Sequence, residues 1–267
     1  MIRDITIGQY YPVRSLVHSL DARVKILAVL VYIITLFLVD SFIGYAVVAL
    51  ILAAVIKASK VPFKFMVKGI KGIILILVFT AVINVFSTKG ENVLFTVGIF
   101  TATMEGVILA VKMVIRLTML IIGSSLLTLT TSPIELTDGI EYILKPFKKI
   151  GVPSHEIAMM MSIALRFIPT LLDETDKIMK AQQARGADFE TGNIIQRAKS
   201  LIPILVPLFV SAFRRAEELA MAMEARCYHG DENRTRMNEM KLKSRDITAF
   251  VLVVLYIALI IVLRIVF

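Results

Sequence analysis

Few side chains in this sequence could do chemistry, and they lie far apart. His18, His155 and His229 have no metal-ligand spacing, and Cys227 is the only cysteine, so no zinc site, cofactor site or internal disulfide is expected. There is no Walker loop, so the chain is not itself an ATPase. What remains is a pair of guanidiniums in similar settings. Ala184-Arg185-Gly186 closes the stretch Ala-Gln-Gln-Ala-Arg-Gly, and Ala225-Arg226-Cys227 closes Met-Glu-Ala-Arg-Cys. The chemistry of such a group is recognition: a planar fork of donors matches a carboxylate bidentately. A single Ala-Arg-Gly is explained as a helix end, with arginine complementing the dipole and glycine capping. Two endings 41 residues apart suit two acidic grooves on a partner.

The elements that must hold these residues are mostly lipid-soluble. The 267 residues are 57% hydrophobic and 19% charged, and the mean hydropathy of +0.80 is too high for an ordinary soluble domain. The chain is expected to be an all-α integral membrane protein of about five transmembrane helices, with a helical cytoplasmic segment between the fourth and the fifth. Residues 1–25 form a basic N-terminal segment, 26–130 hold four spans, 131–246 form the cytoplasmic helical segment and 247–267 the last span. Within 26–130 the runs are Ile26–Val39, Phe42–Ile56, Gly69–Phe86 and Glu105–Thr130, while Val93–Thr103 is too short to cross. The first run ends at Asp40 without a small-x-small site, so no cleaved signal is expected.

Charge sets the sidedness. Lys57, Lys60, Lys64, Lys68 and Lys71 surround Pro62 in a connection read as a loop, and a lysine-rich loop marks the inside. With the N-terminus cytoplasmic, the three inner pieces carry four, five and seventeen Lys and Arg, against only Lys89 and Arg264 outside. A net charge of +9 distributed in this way reports topology and does not call for nucleic acid. Lys112 and Arg116, four residues apart on one face of the fourth span, have two open explanations. They snorkel and bind carbonyls and headgroups, or they make an intramembrane contact with another protein.

In the inner segment, Ser154 is the expected N-cap of a helix running to Gly186, about 45 Å long and bent at Pro169. A second helical stretch starts at Asn193, bends at Pro203 and Pro207, and ends at Cys227. The uncharged run 201–213 reads as a buried or re-entrant helix; if it crossed, Arg185 and Arg226 would face opposite sides of the membrane. Met159, Met160 and Met161, with Met221 and Met223, are either core or adaptable packing surface.

Taken together, Leu20-Asp21-Ala22-Arg23-Val24-Lys25, Gly151-Val152-Pro153, Ile163-Ala164-Leu165-Arg166-Phe167-Ile168-Pro169 and the two Ala-Arg endings resemble the transmembrane T component of energy-coupling factor transporters, the EcfT/CbiQ family. Ala22 stands where that family often has proline, and Cys227 where its second motif often has glycine. The resemblance implies a non-catalytic subunit of a prokaryotic ABC importer in the cell membrane, without a cofactor. Its implied partners are two cytoplasmic ATPase subunits and a small membrane-embedded S component that captures a vitamin or metal ion. It further implies that Ala184, Arg185 and Gly186 dock one ATPase and Ala225, Arg226 and Cys227 the other. A membrane-embedded enzyme would need convergent catalytic groups, and a stand-alone secondary transporter an internal repeat around midplane polar groups; Asn84 alone is a poor substrate site.

Overall fold

Asp21 sets the start of the first helix: its Oδ1 accepts from the Arg23 amide at 2.9 Å, and α1 runs over Ala22–Leu38. The computed structural model describes residues 10–88, 92–97, 100–189, 193–230 and 242–266. Ser41 caps α2 (Phe42–Ser59), and α3 (Phe63–Ser87) follows Pro62. An antiparallel hairpin, β1 (Val93–Val97) and β2 (Phe100–Thr103), leads to α4 (Met104–Thr130), where Thr103 Oγ1 accepts from the Gly106 amide and Glu105 lies in the first turn. Then come α5 (Pro133–Leu144), a 3₁₀ turn (Lys145–Ile150), α6 (Ser154–Ala184), α7 (Ile194–Ser200), α8 (Ile202–Glu224) and α9 (Ser244–Val266). The chain is helical almost throughout, as expected.

Among the described residues, six stretches are long and apolar enough to cross a membrane: α2, Gly69–Ser87 of α3, α4, α6, Ile195–Glu224 through α7 and α8, and α9. The α6 and α7–α8 stretches have a mean hydropathy of 1.3, and the other four lie between 2.1 and 3.0. The 17 residues of α1 make about 26 Å of helix, slightly less than a bilayer core. The protein is a multi-pass membrane protein.

The chain divides into two units, one holding residues 8–139 and 240–267 and the other 140–239. In the first, α1, α2, α4 and α9 close around Leu36, Val39, Tyr45, Val48, Met119 and Ile260, and a second cluster joins Leu52, Val61, Met66, Ile122, Leu126 and Leu129. Gly123 permits the close approach of α1 to α4: a methyl group there would run into the Tyr32 ring, whose hydroxyl donates to Met119 O at 2.9 Å. At one end, buried Asp246 accepts from the amides of Asp21 and Lys243, both at 2.8 Å, and buried Lys25 donates to Thr130 O at 2.9 Å and His18 O at 3.1 Å. These bonds tie the starts of α1 and α9 to the end of α4.

Several local expectations change. The lysine-rich connection is not a loop. Lys57 is in the last turn of α2, Lys60 adopts the left-handed conformation at its end, and Lys64, Lys68 and Lys71 lie within α3. Lysine is a good helix former, so its charge marked a helix end facing water rather than an interruption. Val93–Thr103 contains the hairpin. Ser154 is not a cap: it is buried inside the first turn of α6, and Pro153 precedes it. Pro203 does not bend a helix but lies in the first turn of α8, after a single-residue break at Leu201, while Pro169 and Pro207 are inside helices. Asn193 does start α7, and its amide donates to Gln196 Oε1 at 3.0 Å. Arg3, Lys89, Arg234, Arg236 and Lys241, all part of the charge count, lie outside the described residues.

Candidate functional site

In the second unit α6 and α8 pack side by side, and three contacts fix their direction. Arg215 Nη2 donates to Glu174 Oε2 at 2.7 Å, and Gln182 Nε2 to Pro203 O at 3.4 Å. The Tyr228 hydroxyl meets His155 Nε2 at 3.3 Å. As α6 advances from 155 to 182, its partners fall from 228 to 203, so the helices are antiparallel. The end of α6 lies beside the start of α8, and the end of α8 beside the start of α6. The 31 residues of α6 make about 46 Å of helix, so Arg185 and Arg226 stand at opposite ends of the pair, roughly 40 Å apart.

Both endings have the same backbone. After α6, the Gly186 amide donates to Gln183 O at 2.9 Å and the Ala187 amide to Gln182 O at 3.0 Å. After α8, the Cys227 amide donates to Glu224 O at 2.8 Å and the Tyr228 amide to Met223 O at 3.0 Å. Each is a Schellman motif, which satisfies orphan carbonyls of the last turn with a left-handed residue just past the helix. Gly186 takes that position at φ 89 and Cys227 at φ 54. Cysteine therefore closes the second helix as glycine closes the first. In each case the arginine precedes the left-handed residue, where its side chain projects from the end of the helix.

Arg185 and Arg226 are exposed, and among the described residues neither guanidinium has an ion pair or a side-chain hydrogen bond. Ala184 and Ala225 are exposed beside them and add no bulk. Two free forks with small neighbours can accept carboxylates from outside the chain.

The second ending is further anchored by residues that sequence spacing left isolated. His155 is buried, with Nδ1 3.2 Å from Glu141 Oε1 and Nε2 at the Tyr228 hydroxyl. A proton on Nδ1 satisfies both contacts: the ring donates to the carboxylate and accepts from tyrosine. His155 thus belongs to a tie between α5, α6 and the chain after α8. His18, with its ring between the Ser15 hydroxyl and Tyr11 O, and His229 with Cys227 O, are separate from it. No three His, Cys, Asp or Glu residues cluster as metal ligands among the described residues.

The expected buried run 201–213 is buried only along one line. Ile204 is 3% exposed, but Leu205, Val206, Phe209 and Val210 are exposed and Phe213 is 73% exposed, because α6 covers a single face of α8. Met160, Met161 and Met221 are also exposed, so these methionines form surface rather than core.

Lys112 and Arg116 lie elsewhere, in the first unit. Arg116 Nη2 donates to Val39 O at 3.0 Å and to Asp40 Oδ1 at 3.1 Å, its Nε donates to the Tyr45 hydroxyl at 3.0 Å, and its guanidinium lies near the rings of Phe37 and Tyr45. It ties α4 to the α1–α2 turn. Lys112 Nζ sits 5.4 Å from the centroid of the Phe42 ring.

Known proteins resemble this chain over nearly its whole length. The family model described as CbiQ, cobalt transport protein, matches residues 13–237. The energy-coupling factor transporter transmembrane protein EcfT of Clostridium kluyveri is 63% identical over 250 residues, 93% of each chain. The protein of the same description from Ruminiclostridium cellulolyticum is 54% identical over 267 residues, the full length of both, and that from Bacillus subtilis is 46% identical over 264.

Proposed function

The chain belongs to the EcfT/CbiQ family of energy-coupling factor transporter transmembrane components, and from that membership we propose that it couples two cytoplasmic ABC ATPase subunits to a small membrane-embedded S component. The observation that carries the proposal is the pair of matching helix endings at opposite ends of α6 and α8, whose arginines have no ion pair among the described residues. A separation of roughly 40 Å suits two subunits better than one. Ala184-Arg185-Gly186 engages one ATPase, and Ala225-Arg226-Cys227 the other.

Charge placement supports a cytoplasmic N-terminus and a cytoplasmic location for residues 131–246, with α6 and α8 lying along the inner face of a prokaryotic cell membrane. Their lower hydropathy agrees with that placement. ATP hydrolysis takes place on the partner subunits. When the two ATPases close, the arginines at the ends of the pair move with them, and α6 and α8 slide or tilt as stiff levers. The exposed face of Phe209, Val210 and Phe213 is apolar enough to pass that motion to the S component, which captures the vitamin or metal ion. Arg116 serves the fold, and Lys112 is left for a contact within the membrane.

Affinity capture of the full-length protein from its native membranes tests the assignment. Two ABC ATPase subunits and a small apolar membrane protein are expected in the captured complex. Recovery of the chain without an ATPase under conditions that preserve membrane complexes would contradict it.

A further inference from the structure

At the end of the first unit that carries the α2–α3 connection, Arg14, Lys57, Lys60, Arg245 and His18 line a cavity of about 710 Å3 that no Asp or Glu among the described residues lines. The His18 ring is committed to the chain, with Nε2 donating to Tyr11 O at 3.0 Å and Nδ1 accepting from the Ser15 hydroxyl at 2.7 Å. Arg245 has only a 3.5 Å contact with Ser19 Oγ, and Arg14, Lys57 and Lys60 have no ion pair among the described residues. Four exposed cations thus face one bowl without a counter-charge among the described residues.

The bowl is continuous with an apolar cleft. Leu16, Ala58 and Arg245 line both the bowl and a groove of about 410 Å3 between α1, α2, α4 and α9. That groove shares Ala28, Val29, Val55, Leu126, Leu252 and Val253 with a further cavity of about 200 Å3 that reaches Val48, Tyr32 and Tyr256. From Ala58 to Val48 is ten residues of α2, about 15 Å, which is half the thickness of a bilayer core.

We propose that this bowl and cleft form a binding site for one anionic phospholipid, with the phosphate headgroup among Arg14, Lys57, Lys60 and Arg245 and an acyl chain in the cleft between α2 and α9. A soluble anion would use the bowl and leave the cleft unexplained. A neutral lipid would use the cleft and leave four uncompensated cations. Only a ligand with an anionic head and a chain about one leaflet long fits both, and basic pockets between membrane helices are suited to such headgroups. The site belongs to the first unit and the Ala-Arg endings to the second, so it does not depend on their role.

Native mass spectrometry of the full chain, purified in detergent and offered phosphatidylglycerol and phosphatidylcholine of matched acyl chains, tests the site. The wild-type protein is expected to retain phosphatidylglycerol at least about tenfold over phosphatidylcholine, more than the roughly fivefold that a single cation beside the headgroup would give. The triple variant Arg14→Gln, Lys57→Gln, Arg245→Gln should lose that preference. Val55→Trp, which fills the cleft, should lose both lipids, and Lys64→Gln, on α3 outside the bowl, should bind like wild type. Glycerol 3-phosphate should not compete. Equal loss in Lys64→Gln would mean diffuse surface charge and overturn the site. Competition by glycerol 3-phosphate together with full binding by Val55→Trp would mean a free phosphate site and would equally overturn it.

Discussion

Cys227 holds its backbone at φ 54, in a region that costs an L-residue other than glycine about 1–2 kcal/mol. The parallel between Ala-Arg-Cys and Ala-Arg-Gly pointed to this position, but a cysteine there left the end of the helix open; the paired hydrogen bonds from the Cys227 and Tyr228 amides show that it ends as it does at Gly186. Cys227→Gly should therefore raise stability by up to about 1 kcal/mol, since the relief of strain is partly offset by the greater freedom of glycine in the unfolded chain. Gly186→Ala should lower it by about 1 kcal/mol for the opposite reason. Thermal unfolding of the two variants in detergent reads both effects, and transport should survive Cys227→Gly. A large loss of transport there would assign the thiol a task that the cap geometry does not explain.

Among the elements, the long apolar runs were legible because a membrane leaves them little choice of structure: α4 begins at Met104, one residue from its expected start, and ends as expected at Thr130. Other features depended on partners distant in sequence. His155 looked isolated because Glu141 and Tyr228 reach it from different elements, and the antiparallel course of α6 and α8 rests on contacts 21 to 73 residues apart. The lysines misled for a different reason, since a charge reports water and not the end of a helix. Gly123 is another tertiary requirement that periodicity does not reveal. Gly123→Val should drive α4 off the Tyr32 ring and destabilise the first unit by about 1–3 kcal/mol, read as a fall in thermal midpoint. An unchanged midpoint would mean that α1 and α4 can separate there at no cost.

For the whole molecule, sidedness decides what the α6–α8 pair can do. Both stretches are long enough to cross a membrane, and an antiparallel pair that crossed would place Arg185 and Arg226 on opposite surfaces. A pair lying along the inner face presents both to the cytoplasm. Cys227 is a natural probe, being exposed and the only cysteine in the chain. A membrane-impermeant maleimide should label Cys227, and Ala187→Cys in a Cys227→Ser background, only from the cytoplasmic side. Labelling of the two from opposite sides would make the pair a membrane crossing and remove the basis for coupling.

The most direct test of the account is the yield of ATPase subunits bound to the double variant Arg185→Glu, Arg226→Glu. Reversing charge at a buried interfacial arginine removes roughly 2–5 kcal/mol of binding, a loss of at least about thirtyfold in affinity at each end. The account predicts that affinity-captured double variant loses both ATPases while the S component stays bound, and that each single variant is weakened at one end. Recovery of both ATPases with the double variant at wild-type yield would contradict it.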